Sequence, residues 1–170
     1  EWLKKNRTIV LFAILALAAF FRLFQITTIP PGLFSDEAVN GINALEAIET
    51  APPAGGYKVF YPENNGREGL FINIQALSVQ IFGNKPWALR GVSAMFGIFT
   101  VLGLYFLTKE LFKKESVALF ASFFLATSYW HINFSRIGFR AIMAPFFLVW
   151  GLWLLWRLIP KENHEDEFPD

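Results

Sequence analysis

Long apolar runs separated by short polar segments dominate this chain of 170 residues. They predict four membrane-spanning helices, over residues 8–26, 87–108, 117–132 and 141–158. A helix needs about 20 mainly apolar residues to cross a bilayer. The first run also resembles a cleaved signal peptide, because Ala16-Leu17-Ala18 has the small-residue pattern of a cleavage site. We favour an uncleaved anchor, since the apolar run continues past that pattern to Phe24.

Basic residues mark one side of the predicted membrane segments. They form three groups: Lys4, Lys5 and Arg7; Lys109, Lys113 and Lys114; and Arg157 with Lys161. Cytoplasmic loops carry an excess of Lys and Arg, and all three groups are cytoplasmic if residues 27–86 form one long outer loop. We therefore expect a multi-pass protein of the cell membrane, the cytoplasmic membrane of a bacterium, with both termini of this segment in the cytoplasm.

The outer loop is predicted to carry two shorter helices. Pro30, Pro31 and Gly32 end the first span, because proline resists helix continuation. Residues 36–49 then show helical spacing of apolar side chains, with Asp36, Asn40 and Asn43 together on another face. After a Pro- and Gly-rich loop at 51–65, residues 66–82 form an apolar run that is short for a membrane-spanning helix. The expected fold is all-α, a polytopic transmembrane bundle with two interfacial helices.

Composition narrows the possible functions. The chain is 54% hydrophobic and 18% aromatic, and only 17% of its residues are charged. Without cysteine it has no disulfide, thiolate metal site or cysteine nucleophile. The net charge of +1 and the lack of a basic stripe argue against nucleic acid as a partner.

Asp36 and Glu37 are adjacent carboxylates just after the first predicted span. Placing charged groups beside lipid costs free energy, so such groups are normally solvated, ion-paired or part of a functional site. One interpretation makes them first-turn acids that stabilise the start of a helix. The other makes Asp36 a general base that takes a proton from an acceptor hydroxyl. The two interpretations are compatible.

Arginines gather near the predicted outer boundary: Arg22, Arg67, Arg90, Arg136 and Arg140. Most are expected to snorkel from helix ends. Guanidinium also suits phosphate, and Arg67 is the first candidate, although it also has Glu63 and Glu68 nearby as partners for an ion pair. Glu63, Glu68 and Asp36 are oxygen ligands that suit a divalent metal, but their spacing does not define a site. We expect His131 to be an interfacial hydrogen-bonding residue.

Several short motifs resemble the start of GT-C fold glycosyltransferases. They are Phe21-Arg22-Leu23, Pro30-Pro31-Gly32, Ser35-Asp36-Glu37-Ala38, the run 70–83, Trp87-Ala88-Leu89-Arg90, the turn 109–114 and Phe134-Ser135-Arg136. The pattern is most similar to bacterial family 39 enzymes, which are related to dolichyl-phosphate-mannose protein mannosyltransferases and to lipid A aminoarabinose transferases. The similarity covers nearly the whole chain. It implies that the chain is the N-terminal part of a larger enzyme and that this part need not be active by itself.

The resemblance implies an inverting, mannosyltransferase-like enzyme of the cell envelope. Such an enzyme moves a sugar from a polyprenyl-phosphate carrier to a glycan, lipid or protein acceptor at the outer face. Asp36 matches the catalytic aspartate, Glu37 its acidic neighbour, and Arg67 a basic residue before the second interfacial helix. Arg22 and Arg90 are further candidates for donor phosphate.

Two departures from the family weaken a metal-dependent mechanism, and no cofactor is assigned. Gly66 stands where lipid A-type relatives have an acid, and residues 136–140 contain no second aspartate. The main alternative function is a non-catalytic membrane protein, either a transporter fragment or a lipid-binding scaffold. A transporter should place polar or broken elements near the bilayer midplane. Here the polar residues gather at one surface instead.

Overall fold

The computed structural model describes residues 5–49, 56–63 and 65–159. Lys4, Lys161 and part of the predicted loop 51–65 lie outside these ranges. The described chain forms the helices α1 (Arg7–Leu23), α2 (Ser35–Glu49), α3 (Gly69–Phe82), α4 (Pro86–Phe112), α5 (Glu115–Thr127), α6 (Tyr129–Arg136) and α7 (Met143–Leu158). A short 3-10 helix (Arg140–Ile142) precedes α7, and two strands, β1 (Phe60–Tyr61) and β2 (Arg67–Glu68), precede α3.

This architecture confirms the all-α membrane prediction, including the two short helices of the loop. Helix α4 and the continuous helical segment Arg140–Leu158 are long and apolar enough to cross a membrane. Helices α5 and α6 supply a third crossing if they are counted as one span bent by 55°. Helix α1 has 17 residues, at the lower limit for a span. The fourth crossing and the orientation of the termini stay predictions.

Helix α4 is the centre of the bundle and contacts α1, α3, α5, α6 and α7. Its glycines allow these close approaches. A Cβ at Gly97 would lie 2.9 Å from Ser135 Cβ and 3.0 Å from Arg22 Nε, and a Cβ at Gly103 would lie 2.7 Å from Val149 Cγ2. The small residues of this predicted span therefore bring helices together, as expected for membrane bundles.

Helices α2 and α3 pack on each other and on α4. Their shared core contains Ala44, Ala47, Ile72 and Ala76, together with Tyr61 of β1. A second cluster joins α3 to the start of α4 through Val79, Ala88 and Leu89.

The polar face of α2 points inward. Asn40 and Asn43 are buried, whereas Ile42, from the apolar stripe, is largely exposed. Hydrogen bonding explains the burial of Asn40, whose amide accepts from Arg67 and donates to the Gly138 carbonyl, as an alkyl side chain could not.

Candidate active site

A short hairpin places Arg67 at the beginning of α3. Strands β1 and β2 are antiparallel, with Tyr61 opposite Arg67. Gly69 makes the join tight, because its amide donates to the Val59 carbonyl at 2.7 Å and an added Cβ would collide with the backbone of Lys58. Burial raises the pKa of Tyr61, so its phenol stays protonated and donates to Asn73 Oδ1 at 2.8 Å. The hairpin is thereby tied to α3.

Arg67 reaches from this hairpin to the first turn of α2. Its Nη2 lies 3.0 Å from Asp36 Oδ1, and its Nη1 donates to the Asp36 carbonyl at 3.2 Å and to Asn40 Oδ1. Arg67 is buried, whereas the Asp36 side chain is 32% exposed. The Asp36 carboxylate is therefore paired with a buried guanidinium and remains accessible from the surface.

Glu37 lies on a different face of the same helical turn, about 100° around the helix from Asp36. Its side chain is 0% exposed, and its Oε1 lies 2.8 Å from Arg90 Nε. Arg90 Nη2 donates to the second oxygen at 3.3 Å. Arg90 also donates to the carbonyls of Ile26, Pro30 and Gly32. This ion pair therefore fastens the loop after α1 to α4.

The loop before the 3-10 helix contacts α2 at Gly138. Its carbonyl accepts from Asn40 Nδ2 at 3.2 Å and from Gln75 Nε2 at 3.3 Å. Gly138 has a φ of +57°, and an added Cβ would lie 2.9 Å from Glu37 Cγ. Only glycine meets both requirements without strain. One loop residue thus links α2 and α3 beside the two carboxylates.

Arg22 and Arg136 fasten α1 to the α5–α6 bend. Arg22 is fully buried and donates to the carbonyls of Ala18 and Ala126 at 3.0 and 3.1 Å. Its Nη2 lies 2.7 Å from His131 Nδ1, which confirms His131 as a hydrogen-bonding residue. Arg136 donates to the carbonyl of Phe21 in the last turn of α1 and to those of Phe24 and Ile29 in the segment after it.

Arg140 is the fifth arginine of the predicted boundary group and is placed differently. Its side chain is 34% exposed and pairs with Glu68, which is 57% exposed. Glu68 follows Arg67 directly on β2. Phe139, the residue before Arg140, has its ring centroid 6.4 Å from that of Phe34, two residues before Asp36. We call Asp36, Asn40, Arg67, Glu68 and Arg140 the Asp36 site.

Comparison with known proteins identifies the chain's relatives. Residues 70–166, more than half of the chain, match the family described as dolichyl-phosphate-mannose-protein mannosyltransferase. The chain belongs to this family. A Bacillus subtilis (strain 168) protein named "Putative mannosyltransferase YkcB" is 28% identical over 165 residues, covering 93% of this chain. The chain spans only 22% of that relative's length. No solved structure gives a significant match.

Membership of this mannosyltransferase family confirms the resemblance to GT-C family 39 glycosyltransferases. Asp36, Glu37 and Arg67 precede the matched range, so their roles stay predictions. The structure brings Asp36 and Arg67 into direct contact, and it places Arg22 and Arg90 elsewhere, each with guanidinium donors directed at protein acceptors.

Acidic side chains do not form a metal-binding cluster in the part of the chain that the structure describes. Within residues 5–49, 56–63 and 65–159, no group of three His, Cys, Asp or Glu side chains is arranged to hold a metal ion. Glu68, considered above as a companion of Asp36, is paired with Arg140 instead. The proposed grouping of Asp36, Glu63 and Glu68 therefore does not form in the described part of the chain.

The sequence does not indicate the positions of Gly138 and Arg140 beside the two carboxylates. A glycine in a polar loop does not show that its φ is positive or that Glu37 lies against it. Arg140 shares its charge and predicted position with four other arginines, and neither property distinguishes a buried guanidinium from an exposed one. Asn40 did give a signal, since its i+4 spacing from Asp36 places both on one helix face.

Proposed function

We propose that this chain carries the acceptor-activating end of a membrane glycosyltransferase, with Asp36 as its general base. The supporting observation is the contrast in the first turn of α2: Asp36 is held by buried Arg67 and remains a third exposed, whereas Glu37 is fully enclosed. A general base must reach a substrate proton. Of the two carboxylates, Asp36 meets that condition.

The proposed reaction is a single displacement. An acceptor hydroxyl attacks the anomeric carbon of a sugar linked to a polyprenyl phosphate, and Asp36 takes the hydroxyl proton as the new C–O bond forms. The bond from the anomeric carbon to the phosphate oxygen breaks, and its electron pair leaves with the phosphate. Attack opposite the leaving group inverts the anomeric configuration. The acceptor, a glycan, lipid or protein, approaches from the outer face.

Glu37, Arg90 and Arg22 act in this proposal as positioning residues rather than as substrate contacts. Glu37 and Arg90 hold the loop in front of α2, and Arg22 joins α1 to the α5–α6 bend. Arg67 orients Asp36 through two hydrogen bonds. Of the three arginines predicted to bind phosphate, Arg67 is the one that lies in the Asp36 site.

An apolar cavity beside α4 suits the hydrocarbon part of a lipid-linked donor. Its volume is about 620 Å³, and its lining comes from α3, α4, α7 and the end of α1. Representative lining residues are Leu23, Ile74, Trp87, Met95 and Phe146. Ala88, Gly91 and Val92 line it on either side of Arg90 in the sequence. A polyprenyl chain can pack on such an apolar surface by van der Waals contact, which also holds helices together inside a bilayer.

The test is sugar transfer by membranes that contain the full-length protein, with radiolabelled polyprenyl-phosphate sugars as donors. The Asp36→Asn variant is expected to lose at least about a hundredfold in turnover, the lower range for general acid–base catalysis. Glu46→Gln is the matched control, because Glu46 is an exposed acid on the same helix. Equal turnover by wild type and Asp36→Asn at equal abundance would reduce Asp36 to a helix-capping residue.

Absence of transfer by the wild type with every donor would instead favour the scaffold interpretation. Separate labelling of accessible cysteines introduced at residues 42 and 111 would test the proposed topology. We expect residue 42 to react from outside and residue 111 to react only after permeabilisation.

A further inference from the structure

Arg140 differs from the other four arginines of the boundary group. Arg22, Arg67, Arg90 and Arg136 are buried and donate to carbonyl or side-chain oxygens, or to a ring nitrogen, of the protein. Arg140 is partly exposed, and its partner Glu68 is more exposed still. An exposed ion pair contributes little to stability, since water competes with both charges. This pair can therefore exchange partners at low cost.

The position of the pair connects it to the Asp36 site. Glu68 directly follows Arg67, whose guanidinium holds Asp36 at 3.0 Å. On the other side, Gly138 is hydrogen-bonded to Asn40, and Phe139 packs against Phe34. Arg140 is thus anchored at the edge of the site by the residues before it, and its guanidinium lies against the strand that carries Arg67.

We propose that Arg140 binds the phosphate of the lipid donor and that Glu68 occupies Arg140 until the phosphate displaces it. This inference rests on the proposed function and adds a residue to it. Guanidinium forms paired hydrogen bonds with phosphate as it does with carboxylate. The donor phosphate is a diester that equals Glu68 in charge, and cleavage turns it into a monoester with a further charge and a third terminal oxygen, which replaces Glu68 more strongly. Positive charge is then in place when the leaving phosphate gains its electron pair.

If the ion pair between Glu68 and Arg140 were purely structural, the expected effect of removing Glu68 on phosphate binding would be the opposite. If the pair only ties β2 to the 3-10 helix, removal of either partner should weaken the site in the same direction. If Glu68 competes with phosphate, Glu68→Gln should strengthen phosphate binding while Arg140→Gln weakens it. The sign of the Glu68→Gln effect therefore separates the two explanations.

The experiment measures binding of sugar-free undecaprenyl phosphate to the full-length protein in lipid nanodiscs. Arg140→Gln is expected to weaken binding about tenfold, the effect of losing one charge-assisted contact. Glu68→Gln is expected to tighten binding about threefold, in proportion to a weak exposed pair. The double variant should behave like Arg140→Gln. Glu46→Gln and Lys58→Gln are matched controls, because they break another exposed ion pair, at 3.8 Å, and both should bind as wild type does.

Two outcomes would overturn the proposal. One is a change in the same direction for Arg140→Gln and Glu68→Gln, or no change for either. The other is equally tight binding of inorganic phosphate, which would remove the lipid from the assignment. Folding of each variant is checked by size-exclusion chromatography before binding is measured.

A kinetic readout separates this inference from the proposed function. Arg140→Gln should raise the donor KM more than it lowers kcat, whereas Asp36→Asn should abolish turnover and still bind undecaprenyl phosphate. If Asp36→Asn retains activity but the opposite shifts at Arg140 and Glu68 persist, the general base is wrong and the phosphate site stands. If Asp36→Asn is inactive and the shifts are absent, only the phosphate site fails.

Discussion

Asp36 and Glu37 are adjacent in the sequence, but they belong to two different regions of the molecule. Asp36 lies at the surface and pairs with buried Arg67, near the exposed pair of Glu68 and Arg140. Glu37 lies in the interior, where Arg90 holds both of its oxygens. Successive residues on a helix point about 100° apart, so one turn can serve both regions. The interior pair organises the backbone, and the surface pairs remain able to meet a ligand.

The difference teaches which charges in this chain are structural. A buried ion pair has lost its water and depends on its partner, so removal of one member leaves an uncompensated charge. A surface pair keeps access to water and to substrate, so its loss should alter function more than stability. Both regions can be altered one residue at a time in the full-length protein.

The largest effect on stability is expected from Glu37→Gln. Arg90 would keep its charge and lose its carboxylate, at a cost of about 3–5 kcal/mol. Asp36→Asn should cost less, because that carboxylate is partly solvated and the Asp36 carbonyl and Asn40 still accept from Arg67. Thermal unfolding followed by fluorescence-detected size exclusion compares the two. A smaller loss of Tm for Glu37→Gln than for Asp36→Asn would contradict the division into structural and surface pairs.

A smaller loss of stability is expected from Gly138→Ala. The alanine would have to adopt a φ of +57°, and its Cβ would lie 2.9 Å from Glu37 Cγ. Such strain costs about 1–3 kcal/mol. Gly91→Ala is the control, since nothing lies within 4 Å of its added Cβ and alanine favours a helix. Equal Tm values for Gly138→Ala and wild type would show that the loop relaxes away from Glu37.

Asn40→Leu should affect turnover by loosening Arg67. Asn40 accepts from Arg67 and donates to the Gly138 carbonyl, so its loss should shift the guanidinium that orients Asp36. We expect kcat to fall about tenfold, because small displacements of a catalytic group are costly. The donor KM should change little. Ser78→Ala, which removes a hydrogen bond of α3 to Ala88, controls for loosened packing, and an equal fall in its kcat would contradict a specific role for Asn40.

The smallest effect is expected from Lys58→Gln. Lys58 pairs with Glu46 at 3.8 Å on the surface of α2, away from the residues that hold Asp36. The loss should stay below about 1 kcal/mol, and sugar transfer should match that of the wild type. A large fall in transfer would extend the functional surface along α2 and weaken the assignment of function to its first turn.

Much of the architecture follows from local patterns. The apolar runs predict α4 and α7 closely, and helical spacing in the loop predicts α2 within one residue of its observed start. The first predicted span is shorter in the structure, since α1 ends at Leu23, and the third is bent by 55° between α5 and α6. Hydropathy reports how apolar a segment is, and it contains no information about a bend at Ser128.

Some features of the candidate site likewise follow from the sequence, and others do not. The sequence indicates that Asp36 and Glu37 begin a helix beside the membrane and that Arg67 precedes another. It does not reveal that one carboxylate faces outward and the other inward, because both faces of α2 contain polar residues. Arg22, Arg90 and Arg140 are equivalent by composition, yet two are buried and one is exposed.

By itself, the sequence determined the helical membrane character of this protein, its two short loop helices and its acidic pair, because these depend on contiguous residues. Only the tertiary structure decided which arginine meets which carboxylate. Asp36 and Arg67 are 31 residues apart, Glu37 and Arg90 are 53 apart, and Glu68 and Arg140 are 72 apart. Such pairings depend on how helices pack, and packing is set by shape and burial over the whole bundle rather than by any local pattern.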